Sequence, residues 1–372
     1  MARKFMKKKN VIKVDLANYA LLMQGVGGIG KTTTMTEMAL KEVGDEGYIL
    51  VTVGREPVAK HISGIYNERC VDWDDLEDLI DEVCENKSDY PDLKIICFDS
   101  CDELFRIAEE QVVKEYNRNL EPNKKKVKVV SAAYGGFQKG ENRVLELVIS
   151  TVFRLFDYGI TPWFIGHTKQ KNQTDVYTGI EFEKITSTLD NKYYIALKDK
   201  VSIAMCAYIE REMNDLETVK DAFTKKDKKV GKIASERRVV SFRDEEYAVD
   251  VKSHFKEIEP KCDLNTDVII KTIKDAIKKE VESQSNIKIS EKEMEEKIKE
   301  ERKEIEDTAK DFIKKQEDSL EVKQEKLDKI KANMTNLDMT KLQEILTEHK
   351  ISDFTNVEVI PMVALDAILE LI

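Results

Sequence analysis

The amino-acid sequence predicts an α/β protein in which helices cover a mostly parallel sheet, followed by a charged helical extension. Short apolar runs alternate with amphipathic segments through about residue 260 of the 372-residue chain, which is the pattern of a helix-covered parallel sheet. All 15 glycines lie at or before Gly231, so the rest of the chain lacks the residue that forms tight turns most readily.

Each predicted element has its own local signal. The apolar run Tyr19–Gln24 ends at a glycine-rich turn, as a buried strand does, and Lys31–Val43 follow with helical spacing up to Gly44. The further elements in chain order are a strand at 48–53, a helix at 72–86, a strand at 93–98, a helix at 102–116, a basic loop at 117–140, a helix at 141–157, a strand at 161–166, a polar segment at 167–191, a strand at 202–210, a hairpin turn near Gly231 and a strand at 238–243.

Four regions differ in composition. Residues 1–14 form a basic arm and residues 15–260 the α/β core. Residues 266–332 are dense in Glu and Lys, with apolar residues near heptad spacing, which predicts a long charged helix or a weak coiled coil. Apolar density returns in residues 333–372, which predicts a small helical module there.

Composition excludes several classes of protein. The longest apolar runs fall short of a membrane span, and the basic N-terminus is not followed by the apolar core of a secretory signal. The six cysteines are scattered, which favours reduced thiols over disulfides or a zinc site and predicts a cytoplasmic protein. With 61 basic and 72 acidic residues, the chain is not a nonspecific polycation, so nucleic-acid contact would need local basic segments.

A phosphate-binding motif follows the first predicted strand. Residues 25–32, GVGGIGKT, match the pattern G-x-x-x-x-G-K-[ST] between a strand and a helix. Such a loop points backbone N–H groups at a phosphate, while the lysine neutralises β/γ-phosphate charge and the hydroxyl ligates Mg²⁺. The predicted nucleotide ligands are Gly25, Gly27, Gly28, Gly30, Lys31, Thr32 and Thr33, with ATP and Mg²⁺ as cofactors.

A carboxylate at the end of a neighbouring strand completes such a site. Asp99 follows an apolar strand and is the second predicted Mg²⁺ residue beside Thr32. Because Ser100 rather than a glutamate follows it, the catalytic base must lie elsewhere. Glu56, just past the second strand, is the first candidate, and Asp102 and Glu103 are weaker alternatives.

His167 ends the strand that contains Trp163 and Gly166. Polar side chains at strand ends of open α/β sheets face the ligand, so His167 is a candidate for sensing hydrolysis at the γ-phosphate. The alternative interpretation, a structural histidine, stays open.

The order of these parts resembles the RecA-like core, and more narrowly the phage-encoded nucleotide-binding ATPases that act as single-strand annealing proteins. The resemblance covers about residues 15–260, and the helical part after 270 goes beyond it. The segments that carry the resemblance are 25–32, 71–76, 98–100, 134–137, 165–168, 240–243 and 250–253.

This resemblance implies ATP bound between subunits of an oligomer, with a basic residue reaching the γ-phosphate of the adjacent protomer. The candidates for that role are Arg237, Arg238 and Arg243, for which the alternative is ordinary edge-strand charge. It also implies single-stranded DNA binding through two loops, at about 117–140 and 168–192, where basic and aromatic residues interleave. The DNA candidates are Lys124, Lys125, Lys126, Tyr134, Phe137, Lys169, Lys171 and Tyr177.

Two functions are consistent with these features. The first is an ATP-dependent, oligomeric ATPase that binds single-stranded DNA in phage recombination or annealing. The second is a P-loop ATPase whose helical arm, residues 266–372, recruits a protein partner in an assembly or defence-related complex without contacting DNA. In the second function the basic loops are solvated surface.

Overall fold

A computed structural model describes residues 11–55, 62–220, 227–244, 249–285, 288–334, 339–349, 351, 357 and 359–369. The chain divides into two compact units, Met1–Lys303 and Glu304–Ile372.

A mixed sheet forms the centre of the first unit. Its strand order is β10-β8-β7-β1-β5-β4-β2-β3. The six strands from β7 to β3 are parallel to one another, β8 is antiparallel to β7, and β10 is antiparallel to β8. The described strands are β1 (Leu21–Gly25), β2 (Tyr48–Val53), β3 (Tyr66–Cys70), β4 (Ile95–Asp99), β5 (Thr161–Thr174), β6 (Glu181–Ser187), β7 (Ile203–Lys220), β8 (Asp227–Ser241), β9 (Lys252–Ser253) and β10 (Lys261–Asp263).

Helices lie between strands along the chain, and four further described helices follow the last described strand. The N-terminus of α2 is capped by the Asp72 carboxylate, which accepts the Asp75 N–H at 3.1 Å, and Ser100 occupies the same position on α3. The described helices are α1 (Lys31–Val43), α2 (Trp73–Glu85), α3 (Cys101–Arg118), α4 (Lys139–Val152), α5 (Asn191–Lys200), α6 (Thr266–Ser285), α7 (Glu291–Ala332), α8 (Met339–Glu348) and α9 (Met362–Leu369). The predicted α/β class, mostly parallel sheet and helical C-terminal region are confirmed.

Both faces of the sheet are buried. Along β1, Leu22 belongs to one apolar cluster, whereas Leu21 and Met23 belong to a second cluster on the opposite face. Two-sided burial explains why the parallel strands have continuous apolar runs in the sequence rather than an alternating pattern.

Three local predictions differ from the structure. The segment after residue 65 contains an additional edge strand, β3, whose exposed polar side chains hid it from an apolar pattern. The polar segment predicted at 167–191 is largely a β-hairpin, because β5 continues to Thr174 and pairs antiparallel with β6. Gly231 lies within β8 rather than near a turn.

Helix α6 packs on the sheet of the first unit. Ile269, Ile273 and Ile277 are buried in the same apolar cluster as Met23 and Met35. The compact unit therefore continues past residue 260, the predicted end of the core, and includes α6 and the start of α7 up to Lys303.

The start of α7 is fastened to the segment before β1. The Glu301 carboxylate accepts the Val14 N–H at 2.8 and 2.9 Å and the Asp15 N–H at 3.1 Å. Arg302 donates from Nε to Asp15 at 2.5 Å and from Nη2 to the Glu42 carbonyl at 2.9 Å. Since Glu42 lies near the end of α1, this clamp joins α7 to the helix that follows the phosphate-binding motif.

The second unit has its own small apolar cluster. Leu327 and Ile330 of α7 are buried there with Leu342 of α8 and with Leu365 and Ile368 of α9. The charged segment 266–332, predicted as one long helix or a weak coiled coil, forms two helices, α6 and α7. The buried residues at the end of α7 pack against the short helices α8 and α9 of the same chain.

Candidate nucleotide site

The loop between β1 and α1 has the backbone geometry that the motif requires. Gly28 and Gly30 have φ angles of 75° and 112°, where a side chain would be strained. A Cβ atom at Gly27, Gly28 or Gly30 would meet no other atom within 4 Å, so no neighbouring part of the protein crowds these glycines. Gly25 differs, because its Cβ would lie 2.6 Å from the Ala207 carbonyl oxygen, so the glycine there permits close packing of β1 on β7.

Lys31 is almost entirely buried and points back into this loop. Its Nζ donates to the Gly25 and Val26 carbonyl oxygens at 3.0 and 3.1 Å. An ammonium group held at the mouth of a glycine loop is placed to exchange carbonyl oxygens for phosphate oxygens. The neighbouring Thr33 is exposed at the start of α1.

Thr32 and Asp99 are in direct contact. The Thr32 hydroxyl donates to Asp99 Oδ2 at 2.6 Å, although the two residues lie on α1 and at the end of β4. Burial raises the pKa of Asp99 above its usual value, while the Thr32 hydrogen bond and the charge of Lys31 act in the opposite direction. A hydroxyl and a buried carboxylate side by side are oxygen ligands of the kind that Mg²⁺ takes.

His167 lies at the same end of the sheet. His167 on β5 lies opposite Gly25 on β1, and β5 lies between β1 and β4 in the sheet. The Asp102 carboxylate accepts the His167 backbone N–H at 3.0 Å and lies 3.2 Å from Nδ1, and it also accepts the Thr188 hydroxyl. Burial alone would raise the pKa of Asp102, but the hydrogen bonds from His167 and Thr188 outweigh it and lower that pKa.

The end of β2 packs against the first turn of α3. A Cβ atom at Gly54, where φ is 75°, would overlap Glu103 Oε2. Glu103 is also ion-paired with Arg106 at 2.8 Å, so its carboxylate is already engaged. Glu56, the first candidate for the catalytic base, lies outside the described residues.

The three arginine candidates occupy different surroundings. Arg238 reaches the loop of its own chain, with Nη1 3.5 Å from the Ile29 carbonyl oxygen. Arg243 donates to the Phe255 carbonyl at 2.7 Å and is half-buried. Arg237 lies on the open part of the β7–β8 hairpin, where its side chain is 60% exposed and pairs with Glu210 at 2.5 Å.

The first basic segment ends in an unusual loop. Lys124, Lys125 and Lys126 are exposed, and Lys124 pairs with Glu121 at 3.3 Å. The five residues 134–138 all have positive φ, including three that are not glycine. Within them the Tyr134 ring lies 5.0 Å from that of Tyr116, whereas Phe137 is 95% exposed.

The second basic segment is the β5–β6 hairpin. In the strand register, Lys171 lies opposite Lys184 and Lys169 lies opposite Thr186. Because side chains alternate between the two faces of a strand, the three lysines lie on the same face of the hairpin. Tyr177 stands in the hairpin turn and is 97% exposed. Lys192, at the start of α5 just after this hairpin, donates from Nζ to Gln138 Oε1 at the end of the first segment at 3.1 Å.

A buried polar network beside the loop was not predicted from the sequence. Gln24 donates from Nε2 to the Tyr194 hydroxyl at 2.9 Å and to the Asp250 carbonyl at 2.5 Å. The Asp250 carboxylate in turn accepts hydrogen bonds from Lys198 Nζ at 2.6 Å and from the Thr186 hydroxyl at 3.2 Å. The network therefore joins β1 to β6. Gln24, a polar residue at the end of the apolar run before Gly25, was the sequence signal that could have revealed this network.

Comparison with known proteins identifies the class. An AAA domain family matches residues 17–253, which is more than half of the chain. The chain therefore belongs to the AAA domain family, and its phosphate-binding loop is that of a P-loop ATPase. The predicted P-loop ATPase is confirmed at that level.

Among solved structures, the chain is similar to the KaiC-like protein PH0186 from the hyperthermophilic archaeon Pyrococcus horikoshii OT3. The two are 12% identical, with a TM-score of 0.31, and the match covers 65% of this chain and 87% of the other. Curated proteins provide no match. Within the described part of the chain, no helix is both long and apolar enough to cross a membrane.

Proposed function

We propose that the chain is an ATP-dependent ATPase that binds single-stranded DNA as an oligomer, of the phage recombination or annealing type, and works in the host cytoplasm. The observation that carries this proposal is the place where the β5–β6 hairpin begins, next to the nucleotide site. The basic face of this hairpin follows directly from His167, which pairs with Gly25 of the phosphate-binding loop. One strand thus connects the nucleotide site to the surface that would contact DNA.

The residues at the loop fit Mg²⁺-ATP. The backbone of residues 25–30, with its uncrowded glycines Gly27, Gly28 and Gly30, and the ammonium group of Lys31 would hold the phosphates, with the exposed Thr33 at the start of α1 beside them. Thr32 would ligate Mg²⁺ directly and Asp99 through water, since the two oxygens lie 2.6 Å apart. Bound ATP supplies the phosphoanhydride bond that is cleaved, and Glu56 remains the proposed base that orients the attacking water.

The DNA surface would combine phosphate contacts with base stacking. Lys124–Lys126 form one exposed basic run, and Lys169 and Lys171 share a hairpin face. Phe137 and Tyr177 are almost completely exposed, so their rings are free to meet a base. Exposed rings beside lysines suit the stacking and backbone contacts of single-strand binding.

For the residue that acts on a neighbouring subunit, we favour Arg237. Its guanidinium lies on the exposed side of the β7–β8 hairpin, and its Glu210 partner is itself shared with Lys261. Arg238 is already beside the loop of its own chain, and Arg243 is held by a carbonyl of its own chain. A mixture of Lys31→Ala and Arg237→Ala subunits should regain ATPase activity that neither variant has alone, because some mixed interfaces carry both intact residues.

The test is ATPase turnover with and without single-stranded DNA at several salt concentrations. We expect stimulation by DNA and binding that weakens with salt. Replacing Lys124–Lys126 with Glu should weaken binding and reduce the salt slope by about 0.7 for each phosphate that the variant no longer neutralises. The control replaces Lys310, Lys314 and Lys315 of α7 with Glu, the same change in charge at positions of the second unit. Absence of DNA stimulation and of salt-sensitive binding would refute the DNA function and favour a protein partner for the helical arm.

A further inference from the structure

Asp102 joins three parts of the chain at the nucleotide end of the sheet. It lies in the first turn of α3, three residues after Asp99. Its Oδ2 accepts the His167 backbone N–H at 3.0 Å and lies 3.2 Å from His167 Nδ1, while Oδ1 accepts the Thr188 hydroxyl. The backbone N–H of Thr188 donates to the His167 carbonyl at 3.0 Å, which closes the base of the β5–β6 hairpin.

This contact decides where the imidazole carries its proton. An ionised carboxylate only accepts hydrogen bonds, so the ring nitrogen that faces Asp102 must be protonated. A neutral His167 ring held in this way therefore has its proton on Nδ1 and its lone pair on Nε2. Without Asp102, nothing in this contact would select that tautomer.

The ring is placed where its tautomer matters. His167 is in register with Gly25 on β1, and Asp99 on β4 is in register with Ile165, two residues earlier. A positive charge on His167 would lower the pKa of Asp99, so the two side chains are close enough to interact. The backbone of His167 thus lies on the strand between β1, which leads into the phosphate-binding loop, and β4, which ends at the carboxylate that would hold Mg²⁺ through water.

We propose that Asp102 is a positioning residue, which holds His167 with Nδ1 protonated so that Nε2 is the hydrogen-bond acceptor at the nucleotide site. The proposal rests on the ATPase function proposed above, in which His167 responds to the γ-phosphate. The Asp102 carboxylate also accepts the hydroxyl of Thr188, whose backbone N–H closes the base of the β5–β6 hairpin. The position of the His167 ring therefore depends on whether that base is closed. Asp102 thereby acts on the reaction through His167 and not by touching substrate.

A simpler role would be that of an acid in a first helical turn, which interacts favourably with the helix dipole. That role accounts for the position of Asp102 on α3 but not for its hydrogen bonds to β5 and to Thr188. Asp74 provides the matched control, since it lies in the first turn of α2 and forms an exposed ion pair with Lys114.

The direct test reads the tautomer in the full-length protein without nucleotide. Imidazole ¹⁵N shifts of the four histidines identify which ring nitrogen is protonated, and the His167→Ala variant assigns the signal. We expect His167 to be protonated on Nδ1 in the wild type and in Asp102→Asn, whose amide oxygen can replace Oδ2 while its amide nitrogen faces the Thr188 hydroxyl. In Asp102→Ala this preference should disappear. An unchanged signal in Asp102→Ala would overturn the proposal.

Kinetics provide the second readout. Asp102→Ala should lower kcat by about 10- to 100-fold, the usual effect of removing a carboxylate that orients a functional histidine, with little change in KM for ATP. Asp102→Asn should recover most of this activity, and Asp74→Ala should stay within about twofold of the wild type. In a His167→Ala background, Asp102→Ala should have no further effect, because residues that act as one unit are not additive. An equal further decrease in that background would overturn the proposal.

These measurements separate two failures. If the wild type does not hydrolyse ATP, the ATPase function fails, but the ¹⁵N signals still test whether Asp102 sets the His167 tautomer. If Asp102→Ala melts well below the wild type, Asp102→Asn and the wild type carry the tautomer comparison, and a His167 ring protonated on Nε2 in either would overturn the proposal.

Discussion

The clamp at the start of α7 leads to the sharpest stability prediction. Glu301 is 9% exposed and accepts the backbone N–H groups of Val14 and Asp15, which are each only 1% exposed. Glu301→Ala would leave both N–H groups buried without this acceptor, at a cost of about 1–3 kcal/mol each. Because ionised Glu301 is itself desolvated, as the raised pKa of its carboxyl shows, part of this cost is offset. We expect the free energy of unfolding to fall by about 3 kcal/mol.

Urea unfolding followed by tryptophan fluorescence measures this decrease in the first unit alone. The chain has two tryptophans, Trp73 and Trp163, and both are buried in that unit. Glu300→Ala is the control, because Glu300 is the exposed neighbour on the same helix and its removal should change stability by less than about 0.5 kcal/mol. If both variants unfolded at the same urea concentration as the wild type, the clamp would contribute nothing to stability and the reasoning would be refuted.

Three further outcomes are expected. Lys31→Ala should lose measurable binding of a fluorescent ATP analogue while keeping its melting temperature, since its ammonium donates to carbonyl oxygens of the glycine loop at 3.0 and 3.1 Å rather than to the sheet. Gly140→Ala should lower the melting temperature and weaken DNA binding, because its Cβ would overlap the Val130 carbonyl oxygen and displace the loop that presents Phe137. A chain ending at residue 303 should retain buried tryptophan fluorescence, whereas one ending at residue 260 should aggregate, which size-exclusion chromatography would show.

The sequence was most informative where a function depends on neighbouring residues in the chain. The phosphate-binding loop is one continuous segment between a strand and a helix, so its pattern and its context were both local. Thr32 and Asp99 are 67 positions apart, yet they could be grouped because strand ends of a parallel sheet meet at one edge. The structure brings those two side chains into contact.

Features that depend on the arrangement of the strands were hidden. The contact between Asp102 and His167 exists because β4 and β5 are neighbours in the sheet, and the local sequence showed Asp102 only as an acid in a helical turn. Edge strand β3 and hairpin strand β6 lack the apolar alternation that marks a strand buried on one face. The exposed residues of β3 and the mostly polar residues of β6 are typical of loops.

The same limit explains the position of the core boundary. The apolar stripe of α6 was visible in the sequence, but its packing partner was not. The structure shows that α6 lies along α1, where Thr266 donates to Glu37 at 2.5 Å and Lys274 pairs with Glu42 at 2.8 Å. Arg302 then donates to the Glu42 carbonyl at 2.9 Å. The helix that begins with Lys31 is thus held by residues that composition alone assigns to an extension.

This arrangement changes what a deletion of the helical arm can reveal. Removing everything after residue 265 would take away the contacts of α6 and α7 with α1, so a decrease in ATP hydrolysis would report damage to the nucleotide site and not the absence of a partner. A deletion that begins at Glu304 leaves the clamp at Glu301 and Arg302 intact. Only that shorter deletion separates the chemistry of the first unit from whatever the second unit binds.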